Sequence, residues 1–269
     1  MTRVLPRTNF HSSKLIRCLA DLGIVDVVEP GNAFAEKLGL WIHFTDAIKL
    51  SAVHNDGLGK LPRMQAKTLP DVQSTAQPVA RALGVEFDRI RARLVNSITM
   101  SCSPNSGKAH IKLPQPKLEL PLDLAAAYAP YRRFYDAHQH DMELSIQPLR
   151  VNVREALAKA SPKLKKLAAL DGALEAILRE QESKLLSTLP MLLKKRFEHL
   201  YKAHQQTLAN ADTQQAGKPA GWTQAGAWLT RFCSDMQILL LAELDLRLQP
   251  ALGLIEALNQ KINDENRNE

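Results

Sequence analysis

Three short patterns in this sequence carry the letters of a reaction centre. Ser106-Gly107-Lys108 has the end of a phosphate-binding loop, where backbone N–H groups and a lysine hold phosphate oxygens. Cys102 stands where the earlier glycine belongs, Ala109 replaces the Mg²⁺-binding Ser/Thr, and no strand leads in, so a nucleotide site is not expected. His138-x-His140, with Asp141 and Glu143, offers nitrogen and oxygen ligands. Residues two apart on a helix point to different faces, whereas zinc-binding helices use i, i+4, so the spacing reads as a surface or partly buried histidine pair. Glu182-x-Lys184, with Asp171 upstream, has the letters of a restriction-type nuclease core. That chemistry needs the two residues on a strand beside a second acid, and this stretch has a helical period instead. There is no GxSxG, no HExxH and no Gly-rich dinucleotide loop. No catalytic residue, metal or cofactor is assigned, and nothing supports an enzyme.

Cys18, Cys102 and Cys233 are scattered, form no CxxC or Cys/His cluster, and read as reduced, buried structural thiols in a cytoplasmic protein. No run approaches the roughly 20 apolar residues of a membrane-spanning helix. The strongly apolar stretch Ile238 to Ala242 is followed at once by Glu243 and Asp245. Pro6, Arg7 and Asn9 interrupt the N-terminal stretch before any signal-peptide core.

The chemistry left over is charge. The formal net charge is +7, unevenly spread. Ten Lys/Arg face five Asp/Glu from Asn55 to Leu120, and eleven face six from Val151 to Gln205, whereas four face seven from Gly221 onward. Arg81, Arg89, Arg91, Arg93, Lys108, Lys112, Lys163, Lys165, Lys166, Lys194, Lys195 and Arg196 make up most of the two local excesses and form the candidate nucleic-acid-binding set. Lys/Arg side chains that displace counterions give sequence-independent affinity for phosphate backbones. A solvated helix face accounts for the same charges.

The elements that must position these residues are helices. Apolar residues make up 45% of 269 positions, with only 12 glycines and 5% aromatics, which argues against an all-β fold and against disorder. A first helix runs from Ser12 to Leu22, capped by Ser12 or Ser13 and closed by Gly23. A second reaches from Asn32 to Asn55, with Trp41 and Phe44 assigned to the core rather than to a base-stacking platform. A third starts at Gln77-Pro78 and ends near Met100. The fourth starts near Asp123 and continues to Ala160, kinked or broken at Pro148. Ser161-Pro162 opens a fifth, running toward Gln205 with a kink at Pro190, and a last helix spans Trp222 to Ile262 with a bend at Pro250 and Gly253. The expected fold is all-α: a multi-helix bundle of long antiparallel helices with an extended Pro-rich arm. Three regions follow: 1–102, N-terminal and helical with a linker at 56–75; 103–121, the arm; and 122–269, the C-terminal bundle. Long amphipathic helices fit a homodimer and a monomer equally.

Four segments together resemble a known family: Arg7-Thr-Asn-Phe with Leu15-Ile-Arg; Trp41-x-x-x-Thr45-Asp-Ala-Ile-x-Leu-Ser-Ala; Tyr131-Arg-Arg-Phe-Tyr-x-Ala-His-Gln; and Ala242-Glu-Leu-Asp-Leu-Arg-Leu-Gln-Pro. The chain is similar to bacterial proteins with a domain of unknown function whose genes sit beside an inner-membrane pair like the flagellar stators MotA and MotB. That arrangement resembles the Zorya anti-phage systems in the variant lacking the helicase. The matching stretches are helix-core patterns, and no active site is carried over. The resemblance implies an accessory component of such a system. It acts either by binding DNA non-specifically through its basic helices, or as an adaptor that docks on the MotA-like subunit and recruits a co-encoded effector without touching DNA.

Overall fold

The computed structural model describes residues 13–24, 39–55, 73–102, 109–115, 123–210 and 227–267. Among them are seven helices and no strand: α1 (Lys14–Asp21), α2 (Phe44–Asn55), α3 (Gln73–Ser101), α4 (Leu124–Ala160), α5 (Pro162–Leu186), α6 (Leu189–Asn210) and α7 (Trp228–Arg267). The fold is all-α, as the apolar periods require. Residues 109–115 of the Pro-rich arm have no regular structure, and the rest of the arm lies outside the described residues. So does the expected linker up to residue 72.

Helix ends follow local chemistry. Gly23, at φ 64°, takes the left-handed conformation that closes α1. The Gly23 N–H donates to the Ala20 carbonyl (2.8 Å) and the Ile24 N–H to that of Leu19 (3.0 Å), which satisfies carbonyls the helix leaves open. Ser13 is the N-cap residue of α1, but its hydroxyl makes no capping bond. Asp123 caps α4 by accepting from the Ala125 N–H (2.9 Å), and the Ser161 hydroxyl accepts from Leu164 (3.2 Å) ahead of Pro162.

Four expectations about the helices need correction. The second helix does not run unbroken from Asn32: a helical turn at 39–41 is followed by a break at 42–43, and α2 starts at Phe44. The third starts at Gln73, with Pro78 inside it. Pro148 does not break α4, because one lost N–H bond is outweighed by the packing of Ile146, Leu149 and Val153, all buried. The stretch expected to kink at Pro190 is two helices, parted at Ser187-Thr188, with Pro190 in the first turn of α6, where its missing N–H costs nothing.

The helices form two compact units, neither of them a continuous stretch of chain. One takes Met1–Pro30, Leu94–Met142 and Leu186–Leu246. Its core is aromatic: Phe197 lies edge-on to Phe232 (5.0 Å between centroids) and to Trp228 (5.2 Å), and Tyr131 edge-on to Phe232 (5.5 Å). The other takes Gly31–Arg93, Glu143–Leu185 and Arg247–Glu269. Its core is aliphatic apart from Phe87, which joins Leu83 of α3, Leu149, Val153 and Leu157 of α4, Leu164 and Ala168 of α5, and Leu254, Ile255 and Leu258 of α7.

Candidate functional site

The basic residues divide into free and engaged groups. On α3 the buried Ala80, Leu83 and Phe87 fix the inner face, so the helical period sets Arg81, Arg89 and Arg93 on the opposite side and Arg91 on a flank. All four are exposed. Arg93 donates to the Ser145 hydroxyl, and Arg91 is likewise engaged. Arg81 and Arg89 close no ion pair among the described residues. At the start of α5, Lys163 and Lys165 are exposed and Lys166 half-buried, with no acid in the first turn. Lys112 is exposed, and Lys108 lies outside the described residues.

The Lys194-Lys195-Arg196 cluster is taken apart by the fold. Lys195 is exposed and unpaired, whereas Lys194 lies 3.8 Å from Glu198, one turn along α6. Arg196 is half-buried and donates to Asp235 on α7 at 2.9 Å, so it is not available to a phosphate.

Two polar clusters have no counterpart in the candidate set. In the first unit Glu243 is fully buried on α7, and two α4 side chains donate to its carboxylate: the Tyr135 hydroxyl at 2.8 Å and the Gln139 amide at 2.9 and 3.1 Å. Gln139 also donates to the Leu186 carbonyl at 3.1 Å. One turn away His138 is buried edge-on to Phe134, its Nε2 without a hydrogen-bond partner. Burial pushes this imidazole down to about 4, against the opposing charge of Asp141. His140 is exposed, as the two-residue spacing requires.

In the second unit Arg150 and Arg154 of α4 reach Asp171 and Glu175 of α5. Arg150 binds Asp171 through two N–H groups at 2.5 and 2.9 Å, and Arg154 lies 2.5 Å from Glu175. Burial opposes both charges. Asp171 and Glu175 nevertheless raise Arg150, while Arg150, Arg154 and Arg179 hold Glu175 below the usual carboxylate range. Asp171 is thus an arginine partner on a helix, and Lys184 bonds Glu180 at 2.7 Å. Neither stands where a strand-borne nuclease centre needs it.

Among the described residues no three His, Cys, Asp or Glu side chains come together as a metal set. Cys18, Cys102 and Cys233 are free thiols, and burial pushes Cys102 and Cys233 up to about 12, far from a reactive thiolate. No helix there is long and apolar enough to cross a membrane.

The apolar surface departs most from expectation. Helix α2 buries no residue. Trp41 is half-buried rather than core, and Leu40, Phe44 and Ile48, four apart, are exposed, Phe44 by 81%. Residues 32–38, the start of the expected second helix, lie outside the described residues. On α5 nothing from 169 to 185 is buried. Asp171 and Glu175 face α4, while Leu167, Leu174 and Leu185 are turned outward.

Residues 1–260 match the family described as a protein of unknown function (DUF3348). The chain belongs to this family. No curated protein and no solved structure matches it. In this DUF3348 chain the described parts of three of the four recognisable segments, residues 15–17, 131–139 and 242–246, belong to the first unit. Tyr135 and Gln139 of one bind Glu243 of another, and Asp245 of the latter pairs at 2.7 Å with Lys14, the neighbour of buried Leu15. The fourth segment, Trp41 to Ala52, runs across the break at 42–43 into the exposed α2. The i, i+4 pairs Arg150/Arg154 and Asp171/Glu175 were the sequence signal for the ion network, two matched pairs of opposite sign on successive helices.

Proposed function

We propose that this chain is a helical adaptor acting on the cytoplasmic side of a stator-type membrane complex, as an accessory component of a Zorya-like anti-phage system. The observation that carries the reading is the pair Phe44 and Ile48, one turn apart on α2 and both exposed. They lie on a segment that also carries the family resemblance, yet α2 buries no residue. Large apolar side chains that the fold does not cover fit the groove of a partner protein. The partner in this reading is the MotA-like subunit, reached through α2. Co-expression with that subunit tests it: the wild-type chain co-purifies, and Phe44→Asp with Ile48→Asp abolishes capture while the melting temperature holds. Undiminished capture of the double variant overturns the reading.

A second reading, non-specific DNA binding, is supported by Arg81, Arg89 and Lys195, which are exposed and unpaired. It gives phosphate contacts without a base-reading set, so affinity falls with salt at a log–log slope of about −0.9 per phosphate neutralised. Alanine at all three positions flattens that slope. Absence of salt-sensitive binding to duplex DNA at low ionic strength removes it.

A further inference from the structure

Helices α4 and α5 form a hairpin whose tip is the single connecting residue Ser161. Arg150 and Arg154 reach Asp171 and Glu175 across it, so the two helices run side by side in opposite directions. Residues 156–170 carry Lys159, Lys163, Lys165 and Lys166 and no acid. Three of the four are exposed, Lys166 is half-buried, and none closes an ion pair among the described residues. Helix α3 is antiparallel to α4, since Asn152 donates to Glu86 and Arg93 to Ser145, so its start lies beside this end of the hairpin. Arg81 is the one charged residue in 73–85. Two sources of negative charge oppose these five cations. Glu155 stands one turn behind Lys159, and the α7 stretch of this unit, Arg247–Glu269, has four acids against three cations. Five cations against one acid and one excess acid leave +3. Lys163 and Lys165 moreover stand in the first turn of α5, where positive charge opposes the helix dipole, so the fold gains nothing from them. Apolar surface lies among the lysines: Pro162 is exposed, and Leu167, 37% exposed, shares a face with Lys163 and Lys166.

We propose that this hairpin tip rests on an anionic lipid surface, with the lysine ammonium groups among the headgroup phosphates and Pro162 and Leu167 at the boundary with the acyl chains. The unbalanced charge selects a polyanion, because each lysine close to a negatively charged leaflet adds to the attraction. The other side chains select a lipid over a nucleic acid. Residues 156–170 hold no arginine to grip a phosphate with two bonds and no aromatic ring to stack on a base. Lysine is a point charge on an apolar stem, and the stem lies along apolar surface while the head stays in water. Exposed carbon at Pro162 and Leu167 gains from the headgroup boundary and gains nothing against a phosphate backbone. The lysines of α5 then belong to a membrane surface and not to DNA. The proposal goes beyond the docking assigned to α2 and does not rest on it.

The test is sedimentation of the full chain with vesicles of phosphatidylcholine alone and of phosphatidylcholine mixed with phosphatidylglycerol. Wild type partitions onto the mixed vesicles at low ionic strength, leaves them as salt rises, and ignores the neutral ones. Lys163→Gln with Lys166→Gln lowers the partition constant about thirtyfold, at about fivefold per lysine, while the melting temperature holds or rises. Leu167→Gln lowers it about threefold. Phe44→Asp with Ile48→Asp partitions like wild type, so the α2 docking and this surface fail separately. A wild type that stays in solution beside the mixed vesicles overturns the proposal, and so does undiminished partition of the double lysine variant. A Leu167→Gln chain that partitions like wild type overturns the choice of a lipid. Duplex DNA that binds wild type, is lost with the two lysines and is not displaced by mixed vesicles makes the tip a nucleic-acid site and overturns the proposal as well.

Discussion

Arg196 on α6 donates to Asp235 on α7 across 2.9 Å, and each side chain is only 11% exposed. Its sequence neighbours Lys194 and Lys195 read as one basic patch with it, but a charge buried against a charge is part of the scaffold. Removing the guanidinium strands Asp235 out of water. We expect Arg196→Ala to cost about 3–5 kcal/mol in a urea titration, whereas Lys195→Ala stays within about 0.5 kcal/mol. Equal stabilities for the two variants would return Arg196 to the surface set.

His138 gives the protein a pH dependence with a definite sign. Its folded value, about 4, lies below the ordinary 6.5, so above pH 6.5 both states carry a neutral ring and nothing is lost. As pH falls from 6.5 towards 4, the unfolded chain takes up a proton that the folded chain refuses. Stability therefore drops by up to about 1.4 kcal/mol per pH unit. His204 is lowered too, by burial, and adds in the same direction. The comparison that isolates His138 is chemical denaturation of wild type and His138→Leu at pH 7.5 and 5. Between pH 7.5 and 5 wild type should lose stability relative to His138→Leu, and parallel losses would refute the assignment.

Two glycines in helix interiors should respond differently to alanine. A Cβ at Gly84 meets nothing within 4 Å, so Gly84→Ala should gain the full helix preference, about 0.8–1 kcal/mol. A Cβ at Gly172 comes to 3.3 Å from Nη1 of Arg154, a member of the ion network with Asp171 and Glu175. The guanidinium must give way, so Gly172→Ala should gain clearly less, and Gly172→Leu should destabilise. Thermal melts of the three variants decide this.

Trp41→Ala now has a smaller expected effect than a core tryptophan would. A buried Trp→Ala change costs about 3–5 kcal/mol, but Trp41 is half-buried on a segment that buries nothing. A loss well under that range is expected, read from the denaturation midpoint. A loss of 3 kcal/mol or more, which would be large against typical domain stability, would restore Trp41 to the core.

Much of the fold was legible because it is local. Ser161-Pro162, Gly23 and Asp123 mark helix ends through bonds to their own neighbours, and the aromatic period of α4 shows which face is inside. What escaped is set by distant partners. Nothing near Arg196 announces Asp235, thirty-nine residues later. The leucine period of α5 reads as a core face by the same rule that succeeds on α4. It fails because Asp171 and Glu175 share a neighbouring face and find Arg150 and Arg154 opposite them. Periodicity tells that a helix has two sides, and only its neighbours decide which one turns inward. The candidate site fared likewise: the exposure of Arg81, Arg89 and Lys195 followed from residue type, the engagement of Arg93 and Arg196 did not.

Helices α3, α4 and α7 each run through both compact units, so each unit is assembled from three separate stretches of chain. That threading bears on how such a protein is inherited. A single crossover cannot lift either unit out of its gene, and duplication of one unit would copy the halves of helices that belong to the other. Descendants of this chain are therefore expected to vary by substitution along faces such as α2 and α5, and to keep the whole length together.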